Sequence, residues 1–150
     1  MKNLSASMLV LLSALLLVPG CANQSIATLA PGTNLSKVKN FYVVKLATDK
    51  HGVDILIQDR LTKLGYAAKR GPEMPAADYN ADIVVTYRDK WVWDMSMYMI
   101  DLTITFRAPD NGFPMATGYS MHTSLTRKSP EEMVEEVLAS IFNKAKPNPQ

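Results

Sequence analysis

Ser120 and His122 are the residues that first suggest chemistry, because a hydroxyl close to an imidazole is the raw material of a nucleophile and its base. Their spacing also has a plainer meaning. Strand residues at i and i+2 point to the same face, and polar ones there ordinarily share a solvated surface. The other histidine, His51, is distant in the chain, and neither belongs to a cluster with metal-ligand spacing. The chain carries no Gly-rich phosphate loop, no G-x-S-x-G elbow and no H-E-x-x-H motif. Asp49, Asp54 and Asp59 read as caps or solvated positions of a helix. Asp89 falls on an apolar strand face, where it marks a bulge, a solvated sheet end, a pair with an arginine or a functional carboxylate. Taken together, these residues predict a protein that is not an enzyme and holds no metal and no cofactor.

A second group is more suggestive. Trp91, Trp93, Met95, Met97, Tyr98 and Met99 crowd around one turn. Methionine offers an adaptable apolar surface, and Trp and Tyr are enriched at interfaces. On one reading the aromatic residues are core beneath a helix and the methionines cap the sheet end. On the other, these six residues form a candidate interaction surface that touches a partner protein, a lipid surface or an apolar ligand.

The elements that must position these groups follow from periodicity. Residues 39–48 are β-branched and aromatic and read as a strand. Residues 53–64 have helical spacing, with Val53, Leu56, Ile57, Leu61 and Leu64 on one face. Thr48 or Asp49 is placed to cap that helix and Gly65 to end it. Residues 66–69 read as a short strand and residues 70–80 as loop. Residues 81–107 carry the strongest strand signal and read as a hairpin. A four-residue connection over 94–97 pairs Trp93 with Tyr98, Trp91 with Ile100, Tyr87 with Ile104 and Val85 with Phe106, which brings both apolar sets to one face. Residues 115–125 alternate as a further strand, with Met115, Tyr119, Met121 and Leu125 opposite Ala116, Gly118, Ser120 and His122. Ser129-Pro130-Glu131-Glu132 is a capping box that opens a second helix. The order predicts an α+β two-layer sandwich, with two helices on one face of a mostly antiparallel four- to five-stranded sheet.

Ahead of this domain, Lys2 precedes a short apolar run from Leu4 to Val18, too short to span a bilayer and typical of a secretory signal. Leu17-Val18-Pro19-Gly20-Cys21 then resembles the bacterial lipobox. The resemblance implies cleavage after residue 20, a diacylglycerol thioether on Cys21 and acylation of the freed amine. Two or more chains anchor stably where one does not. Ala22 after the cysteine is similar to lipoproteins sorted to the outer membrane, facing the periplasm. Residues 22–36 have no period and read as a flexible tether spanning roughly 20 Å. The expected division is therefore signal 1–20, tether 21–37, domain 38–146 and tail 147–150.

Composition narrows the partners. The formal charge of +2 falls to +1 when Lys2 is removed with the signal (15 − 14), which leaves no electrostatic footprint for nucleic acid. With the only thiol acylated no disulfide forms, so the domain rests on its core.

Leu61-Thr62-Lys63-Leu64-Gly65-Tyr66 and Ala81-Asp82-Ile83-Val84-Val85-Thr86-Tyr87, with the lipobox, resemble the small proteobacterial envelope lipoproteins of unknown function. The element order is similar to the LPS-assembly lipoprotein and the penicillin-binding-protein activator lipoproteins. The resemblance implies an α/β sandwich in the envelope and carries over no functional residue. The expected role is a membrane-anchored, non-enzymatic factor that binds an envelope protein partner. The alternative is a module holding a lipid or small apolar ligand between sheet and helices.

Overall fold

The computed structural model describes residues 24–146; the signal segment, Cys21 and residues 147–150 lie outside the described residues. The elements in order are β1 (Gln24–Leu29), β2 (Asn40–Val44), α1 (Val53–Lys63), β3 (Ala67–Gly71), β4 (Ile83–Asp94), β5 (Ser96–Arg107), β6 (Pro114–Met121) and α2 (Pro130–Ala145). They form an α+β fold in which both helices cover one face of an open sheet. The sheet has six strands rather than four or five, in the order β1-β6-β5-β4-β2-β3. It is mixed, because β2 runs parallel to both β3 and β4 while every other pairing is antiparallel.

The largest departure from expectation is β1. Residues 24–29 do not belong to a tether; they are the edge strand, paired along their length with residues 116–121 of β6. The segment is short, and Ile26 and Leu29 stand apart among small or polar residues, so it lacks the continuous β-branched and aromatic run that betrays β2 and β4. What holds it is context. Ser25, Ala27 and Leu29 lie opposite Ser120, Gly118 and Ala116, and Ser25 shares a hydroxyl hydrogen bond of 2.7 Å with Ser140 of α2.

The core lies between sheet and helices. Phe41, Val43, Ile83, Val85, Leu102, Ile104 and Phe106 from the strands meet Val53, Ile57 and Leu61 of α1 and Met133, Val137, Leu138 and Ile141 of α2. Burial of such side chains is worth roughly 1.5–3 kcal/mol each before entropy is charged against it. At Gly118 the helix comes so close that a β-carbon would lie 2.7 Å from Val137 Cγ1 and 2.8 Å from Ile141 Cγ1. This explains why the small side of β6, and not its larger side, faces the helices.

Helix ends follow local chemistry. The α1 C-terminus closes as a Schellman turn: Tyr66 N–H donates to Leu61 O at 3.1 Å and Gly65 N–H to Thr62 O at 2.9 Å, with Gly65 at φ 92°. At its N-terminus the Asp49 carboxylate reaches over the loop and accepts from the N–H groups of His51, Gly52 and Asp54. Ser129 and Glu132 complete the capping box of α2, with Pro130 at the first turn.

Candidate interaction surface

The two residues that suggest nucleophilic chemistry are inside the protein. Ser120 and His122 are buried, contrary to the solvated face expected of them, because α2 packs over the small side of β6. Ser120 Oγ donates to Glu136 Oε2 at 2.8 Å, His122 Nε2 lies 2.7 Å from the same oxygen, and Lys128 Nζ lies 3.1 Å from it. Hydroxyl and imidazole thus converge on one carboxylate, and the hydroxyl proton is directed at Glu136. Burial pushes the Glu136 carboxyl up, but the hydrogen bonds from His122, Ser120 and Lys128 outweigh it and hold the group below the usual carboxylate range. The cluster ties α2 to the end of β6.

A second polar cluster sits at the start of α1. Asp49 accepts a 2.7 Å hydrogen bond from Tyr87 Oη in addition to its three backbone donors. Burial raises this carboxyl and the bonds lower it further than burial raises it. Burial, followed by the hydrogen bond to Asp49, pushes the Tyr87 phenol well above its ordinary value. Asp54 is buried rather than solvated and pairs with Arg70 at 2.8 Å. No group of three or more His, Cys, Asp or Glu suited to a metal ion occurs among the described residues.

The β4–β5 hairpin follows the expected register from Val85↔Phe106 through Lys90↔Asp101 and then departs from it. A bulge between Lys90 and Trp91 pairs Trp91 with Met99 and Trp93 with Met97, and closes the loop tightly as Asp94, Met95 and Ser96. Asp89, the polar residue on the apolar face, stands next to this bulge and accepts from Trp91 Nε1 at 2.5 Å. The shift has a direct consequence for Met99, which turns into the core and is fully buried; it is not part of the surface. Trp91 is half-buried and stacks on His51 with centroids 3.8 Å apart. Tyr98 is half-buried beneath the Arg127 guanidinium, 4.3 Å from its ring centre.

Trp93, Met95 and Met97 remain outside, at 73%, 93% and 52% exposure. Leu125 joins them at 95%. The strand expected to reach Leu125 ends at Met121, where the chain turns away as His122 is drawn in toward Glu136, leaving Leu125 in a short 3-10 turn. Arg127 fastens this turn to the hairpin: its guanidinium donates to Ser96 Oγ at 2.8 Å, to Asp94 O at 2.7 Å and to the Asp94 carboxylate at 3.2 Å. Neither Leu125 nor Arg127 carried a sequence signal for this role, since both depend on where β6 stops.

The helix-free face of the sheet carries a groove of about 550 Å³, lined by Val44, Met74, Tyr79, Val84, Thr86 and Arg107 among others. Arg107 is held at its rim by hydrogen bonds to Thr86 Oγ1 and Gly112 O, both 3.0 Å. This groove is on the opposite side of the sheet from the helices, whereas the ligand reading places its cavity between sheet and helices, where the core side chains pack.

No family model matches the chain, and no curated protein matches it. Among solved structures, two of PelC are similar in fold. A PelC dodecamer from Paraburkholderia phytofirmans has a TM-score of 0.57 at 13% identity, over 85% of this chain and 99% of that one. A point variant of that dodecamer has a TM-score of 0.58 at 14% identity, over 79% of this chain and 98% of that one. At this identity the likeness concerns the fold.

Proposed function

We propose that the chain is a lipid-anchored accessory protein of the bacterial envelope, acylated on Cys21, that acts by binding a protein partner and not by catalysis. One observation carries the reading: the polar groups that resemble catalytic ones are tied up in structural bonds, while several large apolar side chains stand in solvent. The carboxylates of Asp49 and Glu136 are engaged in bonds that hold loops and helices, whereas Met95, Leu125 and Trp93, large and apolar, are open to solvent. Apolar side chains left outside in this way mark contact surfaces, with a protein or with the bilayer that holds the anchor, and not a catalytic centre. The lipobox resemblance and Ala22 support an outer-membrane address facing the periplasm. Because the structures of similar fold are dodecamers, further copies of this chain belong to the partner class.

The groove favours a second reading, a site for a small amphiphile whose apolar part lies against Val44, Val84 and Met74 and whose anionic end meets Arg107. Photo-crosslinking residues placed one at a time at Leu125 and at Thr86, used in whole cells, separate the two. The proposal expects a discrete protein adduct from either position, identified by mass spectrometry, that disappears with Cys21→Ser. Adducts to lipid alone at Thr86 support the second reading, and the absence of any adduct at both positions counts against both.

A further inference from the structure

The exposed apolar residues and the start of the domain are at the same end of the sheet. Gln24 begins β1 and lies opposite Met121 of β6; Met121 lies opposite Asp101 of β5, and Asp101 opposite Lys90 of β4. This row crosses the sheet. Beyond it, of the strands, only the hairpin continues, through Trp91–Asp94 and back from Ser96, flanked by His51 stacked on Trp91, and four strand residues extend it by about 13 Å. The turn holding Leu125 leaves β6 just past Met121, and Arg127 binds that turn to the hairpin tip. Cys21 is three residues before Gln24, so an acylated cysteine is within about 10 Å of the first residue of the row. β1 and β5 are separated by β6 alone, a lateral distance of about 10 Å.

We infer that the end of the sheet bearing Trp93, Met95, Met97 and Leu125 is a bilayer-contact surface, seated in the same membrane that holds Cys21. The inference rests on the reading of Cys21 as acylated and adds what that reading leaves open, the face the domain turns to the lipid. The short reach is decisive. A long tether would let the domain tumble, but three residues hold the hairpin end close to the surface in which the acyl chains are buried. The hairpin, which projects beyond the row by about as much as those residues can reach, then meets the headgroup and acyl boundary.

Three details fit lipid as the occupant. Tryptophan at 73% exposure is the side chain that settles at a membrane–water interface. The Asp94 carboxylate beside it is paired with Arg127 at 3.2 Å, so the tip meets the lipid without an unpaired acid. Met95 occupies the turn at φ 58°, a left-handed conformation that glycine adopts freely and other side chains resist. The turn thus keeps a long apolar side chain where glycine would fold more easily, which marks the side chain itself as what is wanted there.

The test uses the full mature chain, reconstituted in vesicles of phosphatidylethanolamine and phosphatidylglycerol, with and without acyl-brominated phosphatidylcholine. Trp91→Phe leaves Trp93 as the only indole. Intact mass establishes whether Cys21 carries acyl chains. In the acylated protein Trp93 emission should shift to the blue and be quenched by the brominated chains, and Met95→Gly together with Leu125→Ser should reverse both effects without lowering the melting temperature. An acylated protein whose Trp93 emission stays that of an indole in water overturns this inference and leaves the anchor intact. A mass without acyl chains overturns both. A photo-crosslinker at Met97 that captures protein in cells instead of lipid assigns the tip to a protein interface and also overturns the inference.

Discussion

At the scale of single residues, the side chains that resemble catalytic groups turn out to be ties, and their substitution should be read in stability. Removing Glu136 leaves the buried Ser120 hydroxyl and His122 Nε2 without their shared acceptor, and each orphaned group costs about 1–3 kcal/mol. Glu136→Ala should therefore lower the denaturant midpoint strongly; Glu136→Gln, which keeps an acceptor oxygen, should cost less. Gly118→Val should be as damaging for a steric reason, since its β-carbon alone meets Val137 and Ile141 at 2.7 and 2.8 Å, and overpacking of this kind costs about 1–3 kcal/mol. Met95→Gly runs the other way. Relief of the left-handed strain at φ 58° should leave stability equal or raise it by about 1 kcal/mol, measurable as an unchanged or higher melting temperature.

At the scale of elements, what was legible in the sequence was whatever carries its own period or cap. Helix α1 shows its apolar spacing and the Gly65 stop, α2 its Ser129 capping box, and the first half of the hairpin its alternation, and all three stand as read. Two things were not legible. Strand β1 has no local signature and exists because β6 and α2 offer it an edge of small residues. The bulge at Lys90 and Trp91 shifts the register by one residue on one strand only, which exchanges Met99 and Ile100 between core and surface; alternation alone cannot reveal where such an insertion falls. Exposure was therefore legible for Trp93, Met95 and Met97, whereas Met99 is buried and the exposure of Leu125 had no signal. The capping box gives a direct test at this scale. Ser129→Ala should destabilise by about 1 kcal/mol in chemical denaturation, through the lost N–H acceptor at the start of α2.

At the scale of the whole molecule, the carboxylates act together. Backbone N–H groups of Lys39 and Asn40 hold Asp82 below its ordinary value, and the N–H and side chain of Ser129 do the same for Glu132. Asp49 and Glu136 are lowered by hydrogen bonds that outweigh burial. A carboxyl whose folded pKa lies below its unfolded one contributes stability above the unfolded value and loses it as pH falls through the folded one. Four such groups, in the bend before β4, in α2 and in the loop before α1, predict melting temperatures that are flat near neutrality and fall steeply from about pH 5 to pH 3. Substituting Asp82→Asn should flatten part of that fall, which thermal melts across the range would show.

The edge position of β1 also has a mechanical meaning. Cys21 precedes Gln24, and β1 runs antiparallel to β6 from that point. A pull on the acyl anchor, directed out through the hairpin end, acts along the strand axis. It loads the β1–β6 ladder bonds together, in shear, instead of opening them one at a time like a zipper. The strand that is weakest by composition is thus pulled in its strongest direction, and a tug that would peel an edge strand sideways is borne by the whole sheet.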